Sequence, residues 1–163
     1  MTGDPPRSSP ALLQRAGKAG RPAAAGRHRG ERVVVNCQRA VTVRPRLLCA
    51  FLARACNLVL PPAAGVAVCL VSDTEIARLN RTYRRKAGAT DVLSFPADDH
   101  GGDIAISPAA AKRNARLLGR PVQRELRVLI LHGVLHLAGY DHETDQGQME
   151  RREQSLRRRL GIA

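Results

Sequence analysis

The chain has 163 residues, the size of one ordinary domain, and a formal charge of +13. A chain of this length buries a core without disulfide staples, and no apolar run approaches the roughly 18 residues a membrane span needs. Trp is absent and Phe and Tyr occur twice each, so Leu, Val, Ile and Ala must build the core. Seven of the 27 basic residues lie in residues 1–32, while residues 33–163 carry 20 basic and 12 acidic residues. The excess positive charge therefore belongs to the folded part as well, and it suits a polyanionic partner: RNA, DNA or an acidic membrane surface.

Residues 1–31 are rich in Pro, Gly, Ala and Arg and show no periodic apolar pattern. They are expected to form a disordered basic tail, with the folded domain spanning residues 32–163. An Arg-rich organellar leader is the alternative. No hydrophobic signal-peptide core precedes the domain, so a cytoplasmic location is the default expectation. Cys37, Cys49, Cys56 and Cys69 form no C-x-x-C pair and sit among apolar residues, which predicts free, buried thiols.

Val33–Cys37 is β-branched and predicts the first strand. Pro45 opens a helix to about Val59, with Leu47, Leu48, Phe51, Leu52 and Ala55 at helical spacing and Pro61-Pro62 after its end. Gly65–Val71 is apolar throughout and predicts a central strand. Ser72 followed by Glu75 makes a capping box for a short helix to about Asn80. Asp91–Phe95, stopped by Pro96, and Gly102–Ile106 predict an antiparallel hairpin. Ser107-Pro108 opens a helix closed by Gly119. Gln123–Ala138 is apolar on nearly every face and must be buried, with Gly139 as its left-handed terminator. A last helix, about Gln146 to Leu160, puts Met149, Leu156 and Leu160 on one side. These elements predict an α+β domain.

Three of the five histidines fall between positions 132 and 142. His132 and His136 are four apart, so both imidazoles leave one face of the buried helix. Gly139 lets the chain reverse, and His142 returns toward the same point. Three neutral imidazoles converging from a helix and its following turn form a three-ligand metal site with an open position. His28 and His100 lie in the tail and in a polar turn and are expected to be solvated. The spacing matches the metzincin pattern H-E-x-x-H-x-x-G-x-x-H except that Gly133 stands where that pattern has its general-base Glu. A peptidase mechanism therefore lacks its proton carrier.

The run His132-Gly133-Val134-Leu135-His136-Leu137-Ala138-Gly139-Tyr140-Asp141-His142 resembles the H-G-x-L-H-L-x-G-Y-D-H signature of the YbeY family of bacterial endoribonucleases and RNA maturation factors. Three further stretches resemble family blocks in the same order: Leu79-Asn80-x-x-Tyr83-Arg84, Thr90–Pro96, and Gly102-Asp103-Ile104-x-Ile106-Ser107. The resemblance covers about Val33 to Ile162. It departs where the family usually reads Y-R-G-K-D-x-P-T, because Arg85, Ala87 and Ala89 replace the Gly, Asp and Pro.

The resemblance implies a small mixed four-stranded sheet packed with about five helices. It implies one divalent ion, usually zinc, on His132, His136 and His142. It implies cleavage of single-stranded RNA in ribosomal RNA maturation, at the 3′ end of the small-subunit RNA, and in ribosome quality control, with no membrane or small-molecule cofactor. Arg84 matches the family arginine and would clamp phosphate bidentately; Arg81, Arg85 and Lys86 beside it are candidate RNA contacts.

Asp141 is expected either to orient a ligand imidazole or to cap the turn after Gly139. Glu153 either reaches a buried partner, such as a ligand histidine or Arg84, or sits at an exposed edge. Arg151, Arg152, Arg158 and Arg159 share a face of the last helix and are candidate RNA contacts or a solvated face. Two other functions compete: a metal hydrolase of peptides or esters, and a non-catalytic assembly factor with a structural metal. Structural zinc is normally closed by four protein ligands, and all four cysteines precede residue 70, which favours an open site.

Overall fold

A computed structural model describes residues 29–97 and 101–163. The strands are β1 (Arg32–Asn36), β2 (Val66–Leu70), β3 (Val92–Pro96) and β4 (Gly102–Ile106). The helices are α1 (Pro45–Val59), α2 (Asp73–Leu79), α3 (Pro108–Leu117), α4 (Val122–Leu137) and α5 (Gln148–Leu160), with a π-helical turn at Asn80–Arg84. The expected tail residues 1–28, and His28 and His100 with them, lie outside the described residues. Gly30 and Glu31 are tied to the domain: Gly30 N–H donates to the Ala63 carbonyl at 3.0 Å, and Val66 N–H donates to that of Glu31 at 2.9 Å.

The sheet is mixed, in the order β1-β2-β4-β3. β1 and β2 run parallel, joined by the α1 crossover; β4 runs parallel to β2 and antiparallel to β3. The hairpin strand nearer in sequence to β2 is thus displaced to the edge, and β4 takes the inner place. Inner strands must be apolar on both faces, and β2 and β4 are buried along their whole lengths. Val66, Val68, Leu70, Ile104 and Ile106 pack on one face with α1, α4 and α5, forming the larger core. Cys69, Val71, Leu93 and Ala105 face the other way and are covered by Ile76 and Leu79 of α2. Tyr83 meets Phe95 edge-on with ring centroids 5.2 Å apart, at the border of this smaller core.

The serine N-caps form as the sequence predicts, but the capping box is half made, because the Glu75 carboxylate pairs with Arg78 instead of reaching back to Ser72 N–H. Ser72 Oγ accepts from Glu75 N–H at 3.2 Å, and Ser107 Oγ accepts from Ala110 N–H at 3.1 Å. Ser107 also donates to Asp73 at 2.6 Å, and Arg113 grips the same carboxylate with two nitrogens, joining the start of α2 to α3. The thiols need one correction: none of the four is in a disulfide, but only Cys56 and Cys69 are buried, and Cys37 is exposed just beyond the end of β1. A β-branched run ending in Cys predicts inward alternation, yet β1 is an edge strand and its last residue is already exposed.

Helix α4 touches α1, α3, α5, β3 and β4, which accounts for its all-round apolarity. It comes close to the sheet at Gly133. A Cβ there would lie 2.8 Å from Cγ2 and 2.9 Å from Cδ1 of Ile104. Ser94 of β3 donates to the Gly133 carbonyl at 3.2 Å, holding helix and edge strand together. The position where metzincins carry their Glu therefore faces the sheet. Gly133→Glu is expected to drive a carboxylate into an apolar contact and cost roughly 3 kcal/mol or more. A large fall in melting temperature with no gain of peptidase activity is the expected result; an unchanged melting temperature would contradict this packing.

Candidate metal centre

The histidines come together because of two local rules. The i, i+4 spacing stacks His132 and His136 on one face of α4, next to the edge of the sheet. Gly139 adopts a φ of +94°, a conformation costly for residues with a Cβ, and turns the chain so that His142 faces them. The imidazole centroids are 4.8, 5.3 and 5.2 Å apart, and the potential ligand nitrogens all lie within 4.8 Å of one another.

The hydrogen bonds favour metal ligation. Glu153 Oε2 lies 2.9 Å from His132 Nδ1. A carboxylate there holds the proton on Nδ1 and leaves the Nε2 lone pair free, the outer-shell arrangement expected behind a ligand imidazole. His132 Nε2 and His136 Nε2 are 3.1 Å apart. Two nitrogens bound tetrahedrally at about 2.0–2.1 Å would be separated by roughly 3.3 Å. His136 is held below the ordinary histidine pKa by burial, by His132 and His142, and by the nearby Arg84 charge; a neutral imidazole is the ligating form. The donor set fits a divalent ion of the zinc type.

Glu153 is 8% exposed, so its expected exposed-edge alternative is set aside. Burial raises its pKa, but hydrogen bonds from His132 and Arg157 outweigh that and hold it below the usual value. Arg157, which sequence reasoning passed over, donates to Glu153 Oε1 through Nε at 3.0 Å and through a terminal nitrogen. Its i, i+4 spacing from Glu153 was the available signal. Glu153→Ala is expected to weaken metal binding roughly 10- to 100-fold, measured by competition with a chromophoric chelator. Unchanged affinity would mean that the carboxylate serves packing alone.

Asp141 resolves to the turn. Its Oδ1 accepts from Glu143 N–H at 3.0 Å and its Oδ2 from Thr144 Oγ1 at 3.1 Å. Those bonds hold its pKa low. It makes no hydrogen bond to an imidazole among the described residues, so its place as an orienting group behind a ligand is corrected. Asx turns of this kind satisfy backbone donors where the chain reverses.

The histidines line a cleft of about 260 Å³ along the edge strand β3. Val92, Leu93 and Ser94 of β3 line it too, with Asn80, Arg84, Lys86, Thr90, Asp91 and Glu143. Lys86 Nζ reaches Glu143 Oε1 at 3.5 Å, and both residues line the cleft. Arg81 and Arg85 are exposed and outside the lining. Arg85 has a φ of 54°, left-handed backbone for a residue that carries a Cβ. This is the position where the YbeY pattern usually has Gly.

Of the four arginines of the last helix expected as RNA contacts, none lines the cleft. Arg151 donates to the Gln146 carbonyl at 3.1 Å, and Arg152 is half-buried and donates to the Leu58 carbonyl at 3.4 Å, packing α5 on α1. Arg158 and Arg159 remain exposed.

The profile of the family described as Endoribonuclease YbeY matches residues 38–161. The chain belongs to the YbeY family. An Endoribonuclease YbeY of Koribacter versatilis is 55% identical over 106 residues, covering 61% of this chain and 70% of that relative. One of Solibacter usitatus is 49% identical over 94 residues, covering 57% and 64%. The solution structure of the Thermotoga maritima protein TM1509 is similar with a TM-score of 0.55 at 28% identity, over 78% of this chain and 88% of that one. The matched YbeY segment contains all three histidines, Arg84 and Glu153.

Proposed function

We propose that this chain is a metal-dependent endoribonuclease that cuts single-stranded RNA in ribosomal RNA maturation and quality control. The observation that carries this reading is the convergence of His132, His136 and His142 in a cleft that Arg84 also lines. The YbeY relatives support it, since each bears the name of an endoribonuclease. The histidines would hold one divalent ion, zinc by its donor set. When bound, such an ion supplies Lewis-acid polarisation of a phosphoryl oxygen.

The chain's own residues do the rest. Glu153 holds the His132 ring in one tautomer. Arg84 meets two oxygens of the scissile phosphate with its planar fork, and Lys86 adds a point charge in the cleft. With only two Phe and two Tyr in the chain, binding rests mainly on phosphates rather than base stacking. Arg81 and Arg85, with Arg158 and Arg159 further off, would extend that phosphate track toward a ribosomal RNA precursor. Among the described residues no helix is long and apolar enough to cross a membrane, and a cytoplasmic location accords with this substrate.

Peptide hydrolysis is not favoured, because Gly133 faces Ile104 and cannot be replaced by a carboxylate aimed at the cleft. The test is elemental analysis of the purified chain, then cleavage of a single-stranded RNA with chelator, without it, and after zinc is restored. Cleavage lost with chelator and recovered with zinc is the expected result. Cleavage indifferent to both, or equal in a His132→Ala, His136→Ala double variant, would overturn the reading and point to a contaminating nuclease.

A further inference from the structure

Asn80 is the buried polar side chain of the cleft lining that the reading above leaves without a task. It is 6% exposed. It opens the π-helical turn, and Arg84 closes it. The Asn80 carbonyl accepts the π-type hydrogen bond from Arg85 N–H and a longer one, 3.4 Å, from Lys86 N–H. The Asn80 side-chain amide donates to the Gly88 carbonyl at 3.1 Å. One residue thus fastens the beginning, the middle and the far end of the segment that presents Arg84 and Lys86.

That fastening is needed here. Residues 84–89 are all exposed. Arg85 holds left-handed backbone against its own Cβ, and Gly88 has a φ of +91° with open space around it. Ala87 and Ala89 offer no polar group to pin the loop. Arg84 has no ion-pair partner among the described residues, so its approach to the cleft is set by its backbone. A π turn inserts one extra residue into the helical repeat and is costly to keep; it persists where its surroundings hold it.

We infer that Asn80 is the positioning residue for phosphate recognition: it sets the Arg84 guanidinium and the Lys86 ammonium over the cleft, where a phosphodiester oxygen of the RNA would sit. This rests on the reading of Arg84 as the phosphate clamp. Asn80 itself touches no reacting atom.

The test is a double-mutant cycle on the full, zinc-loaded chain, with Asn80→Ala, Arg84→Ala and the pair, read by single-turnover cleavage of a single-stranded RNA oligonucleotide. Hydrogen–deuterium exchange of the same proteins is the second readout. Asn80→Ala is expected to slow cleavage roughly 10- to 100-fold, the scale of an ångström-level misplacement. Zinc content and exchange in the 132–142 segment should stay unchanged, while exchange at residues 85–91 rises. In the Arg84→Ala background the same change should cost less than about twofold, because residues acting as a unit are not additive. If Asn80→Ala melts below the assay temperature, Asn80→Leu, which keeps the side-chain volume without the donor, carries the same cycle. Fully multiplicative losses would show that Asn80 acts apart from Arg84 and overturn the inference, as would a harmless Arg84→Ala. If the zinc-loaded wild-type chain cleaves no RNA, the proposed activity fails by itself. The exchange experiment still decides the positioning: unchanged protection at residues 85–91 overturns it, and selective loss there supports it.

Discussion

His136→Ala should strip the chain of its metal while leaving the fold standing. His136 can be removed with less damage elsewhere than His132. His132 is bonded to the buried Glu153, so deleting it would leave that carboxylate with Arg157 alone. The expected loss of affinity exceeds the roughly 10- to 100-fold that removal of an outer partner costs, because two imidazoles cannot hold a divalent ion against water as three do. Elemental analysis after dialysis should find less than stoichiometric zinc, the melting temperature without metal should match that of the metal-free wild type, and RNA cleavage should disappear. Retention of metal at the wild-type level would mean that the three histidines are not the site. Loss of the fold along with the metal would mean that the imidazole has a packing role the geometry does not suggest.

Arg84→Ala should abolish most of the cleavage without touching the metal. Arg84 lines the same cleft as the histidines, and its charge is close enough to lower the pKa of His136. Removing one preorganised donor to developing charge costs about 2.7–4 kcal/mol, roughly 100- to 1,000-fold in rate. Arg84→Lys should recover only part, since an ammonium is a point charge without the fork. Arg85→Gly is the matched control: it removes the adjacent charge, yet keeps the left-handed conformation that glycine adopts at no cost. Arg85→Gly should cost far less cleavage than Arg84→Ala, through weaker RNA binding alone, and gain a little stability. All variants must be compared at equal zinc occupancy and fixed salt, because phosphate-driven binding falls steeply with ionic strength. Equal damage from Arg84→Ala and Arg85→Gly would show that the loop acts through bulk charge rather than through one placed fork.

The metal ligands and most elements were legible in the sequence because they depend on local geometry. The bounds of α1 follow from Pro45 and Pro61-Pro62, and α4 from its apolar run and Gly139. Within a helix the direction of a side chain follows from position alone, so residues 132 and 136 had to share a face. The partner of Glu153 was open on the same argument, because facing α4 across the helix packing is a relation between segments 21 residues apart. Sheet order was hidden for the same reason: the hairpin was readable, but only the packing of α4 on Ile104 and the burial of both faces of β4 put β4 rather than β3 beside β2. The π turn had no compositional signal, since its extra residue is held by Asn80 reaching Gly88 across the loop. Even Asp141 needed the tertiary turn to show which donors came within its reach. Residue type and spacing determined which groups of this protein can carry chemistry. Contacts between distant segments decided which of them face one another, because that choice depends on packing that no local pattern encodes.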